Sequence, residues 1–319
     1  MTQHAFAFLA QNTFCKVPAL DTWPDAPYVA AGIAWDGAVT NRPGARFGPQ
    51  AIRLASHMLC DATHPLFDTT PIGQLADAGD LALPNTSLSS MRAALEPQAA
   101  ALVARHHVVW LGGDHSITLS LLRALRRQLG RPLAVLHFDA HCDTWTDHFG
   151  EPSGHGTWVA EAVEEGLMFA DACVQVGIRS AAERDAREYI ADRGGRVFTA
   201  RELRGRDGPG LAGVIDEIAA TLTRHGGDTP VYLSFDIDCL DPAFAPGTGT
   251  PEPGGLTSSQ VLTLLEGLCA QPLAWVGMDC VEVAPPYDHA ELASNMAANI
   301  VWTYLCARLV ADVRKAPGN

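Results

Sequence analysis

Short, almost wholly apolar runs recur along the chain, separated by stretches whose apolar positions return at helical spacing. The runs at 28–34, 108–111, 133–138, 173–178, 231–235 and 274–278 predict strands buried on both faces, the pattern of a parallel sheet. The intervening segments 49–56, 90–105, 116–129, 158–165, 182–191, 211–224, 258–268 and 289–313 predict helices. This alternation predicts a doubly wound α/β sheet with helices on both faces. Ligands of such sheets bind beyond the carboxyl ends of the strands. No repeat or linker divides the pattern, so 1–319 is expected to form one unit, with 1–25 an N-terminal extension and 314–319 a frayed tail.

Composition narrows the class. Hydrophobic residues make up 47% of the 319 positions and charged residues 18%, which excludes disorder and supplies a large core. No uncharged apolar run reaches the roughly 18 residues of a transmembrane helix. The first residues lack the basic start and cleavage site of a signal peptide. Eight scattered cysteines without a Cys-x-x-Cys pair point to a reducing cytoplasm rather than a disulfide framework. A net charge of −14 argues against nucleic acid and anionic membranes as partners, and favours metal cations and cationic substrates.

Three strands run into polar clusters unsuited to a core. The run 108–111 meets Gly-Gly-Asp-His-Ser at 112–116, 133–138 meets Asp-Ala-His-Cys-Asp at 139–143, and 231–235 meets Asp-Ile-Asp-Cys-Leu-Asp-Pro at 236–242. If these segments stay extended, Asp139, His141 and Asp143 share one face, as do Asp236 and Asp238, while Cys142 and Cys239 point away. One such cluster alone is usually a turn or cap. Three at successive strand ends crowd Asp139, Asp143, Asp236 and Asp238 with His115 and His141, and such buried charge needs compensation. Few Lys or Arg residues lie in these segments, so divalent cations are expected. A mixed oxygen and nitrogen set without thiolate favours Mn²⁺. Two ions fit if some carboxylates bridge. Asp114 and His137 flank the set and are expected to support it.

These motifs resemble those of the ureohydrolases, the family of arginase, agmatinase and their relatives. The likeness runs from Gly32 to about Asp288, through RPGARFGPQAIR (42–53), GGDHS (112–116), HFDAHCD (137–143), SGHGT (153–157), SFDIDCLDPAFAPGTGTPEPGGLT (234–257) and GMDCVEVAPPYD (277–288). The resemblance implies a three-layer αβα arginase-like fold, usually assembled as trimers or hexamers. It implies two Mn²⁺ per subunit, one held by His115, Asp139, Asp143 and Asp236, the other by Asp139, His141, Asp236 and Asp238. Glu282 would bind the substrate guanidinium, and His155 would act as general acid. Asp143 could orient the attacking hydroxide through its second oxygen. Thr250 is a candidate substrate contact, with a turn hydroxyl as the alternative. Arg42, Arg46 and Arg53 are expected to pair carboxylates, the alternative being a subunit contact.

Selectivity must come from groups that meet the far end of a guanidinium substrate. The segment 144–154 holds Asp147 and Glu151 but no Lys or Arg, which suits a cationic tail. Trp145 either lines or caps that pocket. Arginases typically place an acidic residue after the arginine resembling Arg179, where this chain has Ser180. The motifs are closer to agmatinases, so agmatine is the expected substrate. Guanidinobutyrate or guanidinopropionate is the alternative, and arginine fits less well. A single-zinc deacetylase is opposed by the full ligand set and Glu282. A catalytically inactive binding or regulatory subunit is opposed by the presence of every ligand and of His155.

Overall fold

The structure is a computed structural model that describes residues 12–147 and 149–315. Eight strands form one sheet: β1 (Tyr28–Gly32), β2 (Leu75–Asp80), β3 (His107–Leu111), β4 (Leu133–Phe138), β5 (Met168–Ile178), β6 (Arg196–Thr199), β7 (Pro230–Asp236) and β8 (Ala274–Val281). Their order across the sheet is β2-β1-β3-β8-β7-β4-β5-β6, and every pairing is parallel. The α-helices are α1 (Gly48–Ser56), α2 (Leu88–Val103), α3 (Thr118–Leu129), α4 (Trp158–Glu164), α5 (Arg184–Arg187), α6 (Ala200–Leu203), α7 (Ala212–Leu222), α8 (Ser258–Ala270) and α9 (Leu292–Lys315).

The fold is a three-layer αβα arrangement, because side chains alternate across strands that are apolar on both sides. Leu136, Phe138, Leu233 and Phe235 face a core with α1, α7, α8 and α9. Val135, Tyr232, Val108 and Trp110 face a second core with α2, α3 and α4. Among the described residues, no helix is long and apolar enough to cross a membrane.

All six predicted strands are present. The two that escape prediction, β2 and β6, are the sheet edges, and both are partly exposed and polar. An edge strand needs no continuous apolar run, so periodicity does not announce it. The predicted helix 182–191 reduces to α5 and a 3₁₀ turn at Ala191–Arg193. Ahead of β1, Phe14 is fully buried, and its backbone N–H donates to Asp77 at 2.7 Å. Phe14, Cys15 and Val17 of the expected extension therefore pack into the core. At the other end, α9 runs through Lys315, and the rest of the expected frayed tail, 316–319, lies outside the described residues.

Arg46 pairs with Asp36, and Arg42 stacks over the Tyr287 ring at 5.2 Å. Arg53 is buried and ties α1 to β2, bonding Asp77 through two nitrogens at 2.9 Å and Asp80 at 2.5 Å. Removing the guanidinium would leave the buried Asp77 carboxylate uncompensated. Arg53→Met is expected to lower stability by roughly 3 kcal/mol. Thermal unfolding of the two proteins checks this, and an unchanged midpoint would contradict the structural role.

Candidate active site

The polar clusters gather at the carboxyl ends of β3, β4, β7 and β8, four neighbours in the middle of the sheet. There the chain turns from building one half of the sheet to building the other, the usual place for a ligand site. His115 opens a 3₁₀ turn (His115–Ile117) that leads into α3 and is capped by Asp114, whose carboxylate accepts from Ser116 N at 3.0 Å. The preceding Gly113 is required: an added Cβ would lie 1.7 Å from the Trp35 carbonyl oxygen.

The extended geometry expected for 139–143 and 236–238 is not what converges the ligands. The strand β4 ends at Phe138, and residues 139–143 form a turned loop with Asp143 at φ +53°. Past β7, Ile237–Cys239 is a 3₁₀ turn. Side-chain-to-backbone bonds fold both segments. Asp139 accepts from His141 N at 2.6 Å, Asp236 from Asp238 N at 2.8 Å, and Asp238 from Ala140 N at 3.0 Å. Residues that read as alternating on a strand are thus gathered by turns in which carboxylates cap nearby N–H groups.

Two groups result. His115 Nδ1 lies 3.0 Å from Asp139 Oδ2, 3.2 Å from Asp143 Oδ2 and 3.1 Å from Asp236 Oδ2. His141 Nδ1 lies 3.3 Å from Asp139 Oδ1 and 3.1 Å from Asp238 Oδ2. Asp139 therefore offers one oxygen to each group. Asp236 turns Oδ2 toward the first, while its Oδ1 accepts from Asp238 N.

The protonation pattern around His115 indicates what this arrangement needs. Its Nε2 meets Ser234 Oγ at 2.8 Å, and that hydroxyl donates to Asp279 at 2.8 Å. Ser234 must then accept from Nε2–H, so in the neutral imidazole the lone pair sits on Nδ1. That nitrogen is buried and has no hydrogen-bond partner despite three nearby carboxylate oxygens. A lone pair among acceptors calls for a cation, and the nitrogen and oxygen donors suit one. Burial and the charge of Asp139 push Asp143 up to about 8, while burial, Asp238 and Asp139 push Asp236 well above the usual carboxylate range. Both shifts express charge crowding that bound cations would relieve.

Other groups hold this set in place. His137 Nε2 meets Asp139 Oδ2 at 2.7 Å, and its Nδ1 accepts from the Gln175 amide at 3.1 Å. The Trp158 indole donates to Asp143 Oδ2 at 2.7 Å. Fully buried Asp279 accepts from Ser234, Thr118 and Tyr232. Ser234, Asp279, Gln175 and Trp158 escape sequence reasoning. Their available signal is a polar atom inside an apolar run, which does not say what that atom touches.

Glu282 follows β8 at φ +62° and is fully buried. Positive φ in such residues costs about 1–3 kcal/mol each, and its occurrence at both Asp143 and Glu282 fits demands set by a site. Glu282 Oε1 accepts from His115 N and from His155 Nδ1, both at 2.9 Å. Its Oε2 is buried without a hydrogen-bond partner. Beside it lies Gly249, where an added Cβ would approach Oε2 to 3.4 Å. Burial disfavours a charged His155, but Glu282, with Asp114 and Asp143 behind it, outweighs burial and raises it to about 9. Burial and the Glu282 charge push Asp114 up to about 6.

A cavity of about 420 Å³ opens onto His115, His141, Asp143, His155 and Asp236. Trp145, Asp147 and Thr250 line it, as do Thr40 and Phe149, which sequence reasoning does not single out. The Thr250 hydroxyl is used on Asp238 Oδ2 at 3.2 Å, and Asp147 also accepts from Gly150 N at 3.0 Å. Glu151 is not brought to this cavity. It lines a separate hollow with Arg92 and Arg123.

The family model for the arginase family matches residues 26–307. An agmatinase of Chromobacterium violaceum is 42% identical over 279 residues, covering 86% of this chain and 82% of that protein. Among solved structures, proclavaminate amidino hydrolase from Streptomyces clavuligerus superposes with a TM-score of 0.87 at 37% identity, over 96% of this chain and 100% of that one. A hypothetical agmatinase from Burkholderia thailandensis gives 0.83 at 35% identity, over 98% and 94%.

Proposed function

We propose that this chain, which belongs to the arginase family and is a ureohydrolase, hydrolyses agmatine to putrescine and urea with two manganese ions. The observation that carries this reading is Glu282 Oε2, a buried carboxylate oxygen without a partner, set beside His155 and the converging ligands. It suits a guanidinium, whose planar fork donates to a carboxylate. One ion would be held by His115, Asp139, Asp143 and Asp236, and the other by Asp139, His141, Asp236 and Asp238. When bound, the ions would acidify the attacking water and offset the carboxylate charge.

The chain's own residues supply the rest. Glu282 fixes the guanidinium so that its carbon faces the ligand cluster. Asp143, held at Oδ2 by Trp158, helps to orient the attacking water. His155 Nδ1–H is committed to Glu282, so its exchangeable proton sits on Nε2. Water adds to the guanidinium carbon, the carbon–nitrogen bond to the tail breaks, and the departing nitrogen takes the Nε2 proton. The products are an amine and urea.

Tail charge selects among guanidinium compounds. Asp147 lines the cavity, and its described lining contains no Lys or Arg. A cationic tail is favoured there over a carboxylate. Glu151 lies outside the cavity and does not support this choice, so it rests on Asp147 and on likeness to agmatinases. The relative named for proclavaminate keeps guanidino acids as the second reading. Urea release from agmatine, arginine, guanidinobutyrate and guanidinopropionate should favour agmatine by about tenfold or more in kcat/KM, about 1.4 kcal/mol. Preference for a guanidino acid by that margin would refute the substrate assignment. A single-domain chain working in the cytoplasm as a homo-oligomer, trimer or hexamer, completes the reading, and light scattering of the purified protein tests the assembly.

A further inference from the structure

We propose that Thr40 is a positioning residue for His155, its hydroxyl turning between donor and acceptor at Nε2 so that the imidazole keeps one place with and without its second proton. The inference rests on the reading of His155 as the acid of guanidinium hydrolysis.

Two Thr40 atoms reach the ring. Its backbone N–H donates to His155 Nε2 at 3.3 Å, and its Oγ1 lies 3.0 Å from the same nitrogen. The opposite ring nitrogen is held by Glu282, which as a carboxylate can only accept. Proton gain and loss therefore fall on Nε2, where Thr40 sits. The backbone N–H suits only the neutral ring, whose Nε2 carries a lone pair. The hydroxyl suits both states: it donates to the neutral ring and accepts from the charged one.

The Thr40 segment is anchored on both sides. Ala38 N donates to Asp114 at 2.9 Å, His155 N donates to the Ala38 carbonyl at 3.3 Å, and the Asn41 amide reaches across to the Gly249 carbonyl at 3.0 Å. One loop thus holds His155 by its backbone and by its ring. Thr40 is also exposed and lines the cavity, so water can reach its hydroxyl.

Proton balance can be met through this contact. In each turnover the departing nitrogen takes one proton from Nε2, and the attacking water gives one up. Return is balanced if Thr40 Oγ1 receives a proton from a water while passing its own to Nε2. Thr40 gains and loses one proton and ends unchanged. Among the described residues, Glu282, Asp114 and Asp143 favour the charged ring. Without the hydroxyl, the backbone N–H of residue 40 would oppose that state.

The test uses the full chain, as Thr40→Val and Thr40→Ser, with two readouts. One is the pH profile of kcat and KM for urea release. The other is the His155 imidazole titration followed by NMR without substrate. Thr40→Val is expected to lower kcat about tenfold with KM within about twofold. The His155 titration should fall by about one unit. Thr40→Ser should restore both. An unmoved titration in Thr40→Val, unchanged kcat, or a Thr40→Ser protein as impaired as Thr40→Val would overturn the proposal. If the unmodified protein releases no urea from any guanidine, the functional reading falls, while the NMR comparison still decides whether Thr40 governs His155.

Discussion

Glu282→Gln is expected to lower kcat/KM for the guanidinium substrate roughly a thousandfold, about 4 kcal/mol, while leaving metal content unchanged. The side chain keeps its length but loses its charge, and either orientation of the amide fails somewhere. With the amide nitrogen at the Oε2 position, a donor faces the donors of the guanidinium. With it at the Oε1 position, a donor faces the N–H groups of His115 and His155. The same substitution removes the group that most favours the charged His155 ring. The acid form of His155 is present below its folded-state value of about 9 and lost above it, so lowering that value should draw the alkaline limb of the rate profile toward neutrality. Steady-state kinetics across pH with metal analysis reads both effects. Loss of kcat/KM of less than about threefold would remove Glu282 from the substrate site.

Asp236→Asn is expected to bring urea release near background, a loss of roughly a thousandfold or more, as several kcal/mol of cationic assistance disappears. Its effect on stability should change sign with metal. In metal-free protein, the neutral amide of the variant relieves crowding against Asp139 and Asp238, so the melting temperature is expected to rise or hold. With manganese present, the native protein gains stability from binding in proportion to affinity, and the variant should gain less. A melting curve with and without manganese, beside metal counts per subunit, tests this. Equal manganese-dependent gains in the two proteins would mean that Asp236 is no ligand.

Much of this is legible in the sequence, for physical reasons that differ from residue to residue. The central strands are visible because burial on both faces makes them continuously apolar, as in 133–138 and 231–235. The edge strand Arg196–Thr199 carries no such demand. The ligand set is visible because carboxylates at the ends of apolar strands conflict with their surroundings. Strand alternation, the expected cause of their convergence, is not the actual one: turns gather Asp139, His141 and Asp143. Thr40 is hidden because a threonine in a polar loop conflicts with nothing, and only the fold brings it to His155. Glu151 shows the converse. An acidic residue near the site in sequence lies in another hollow, since the chain turns at Phe149 and Gly150.

The shared carboxylate of Glu282 also links occupancy to acidity. Its Oε1 holds the His155 proton, while Oε2 is buried without a hydrogen-bond partner and is the oxygen proposed for the guanidinium. A cation arriving at Oε2 draws electron density from the whole group and weakens its hold at Oε1. His155 should therefore become a stronger acid when substrate is present and guard its proton when the pocket is empty. Thermodynamic reciprocity requires the converse, with the protonated imidazole loosening the guanidinium by the same factor. Substrate binding would then arm the acid, through two oxygens of one side chain.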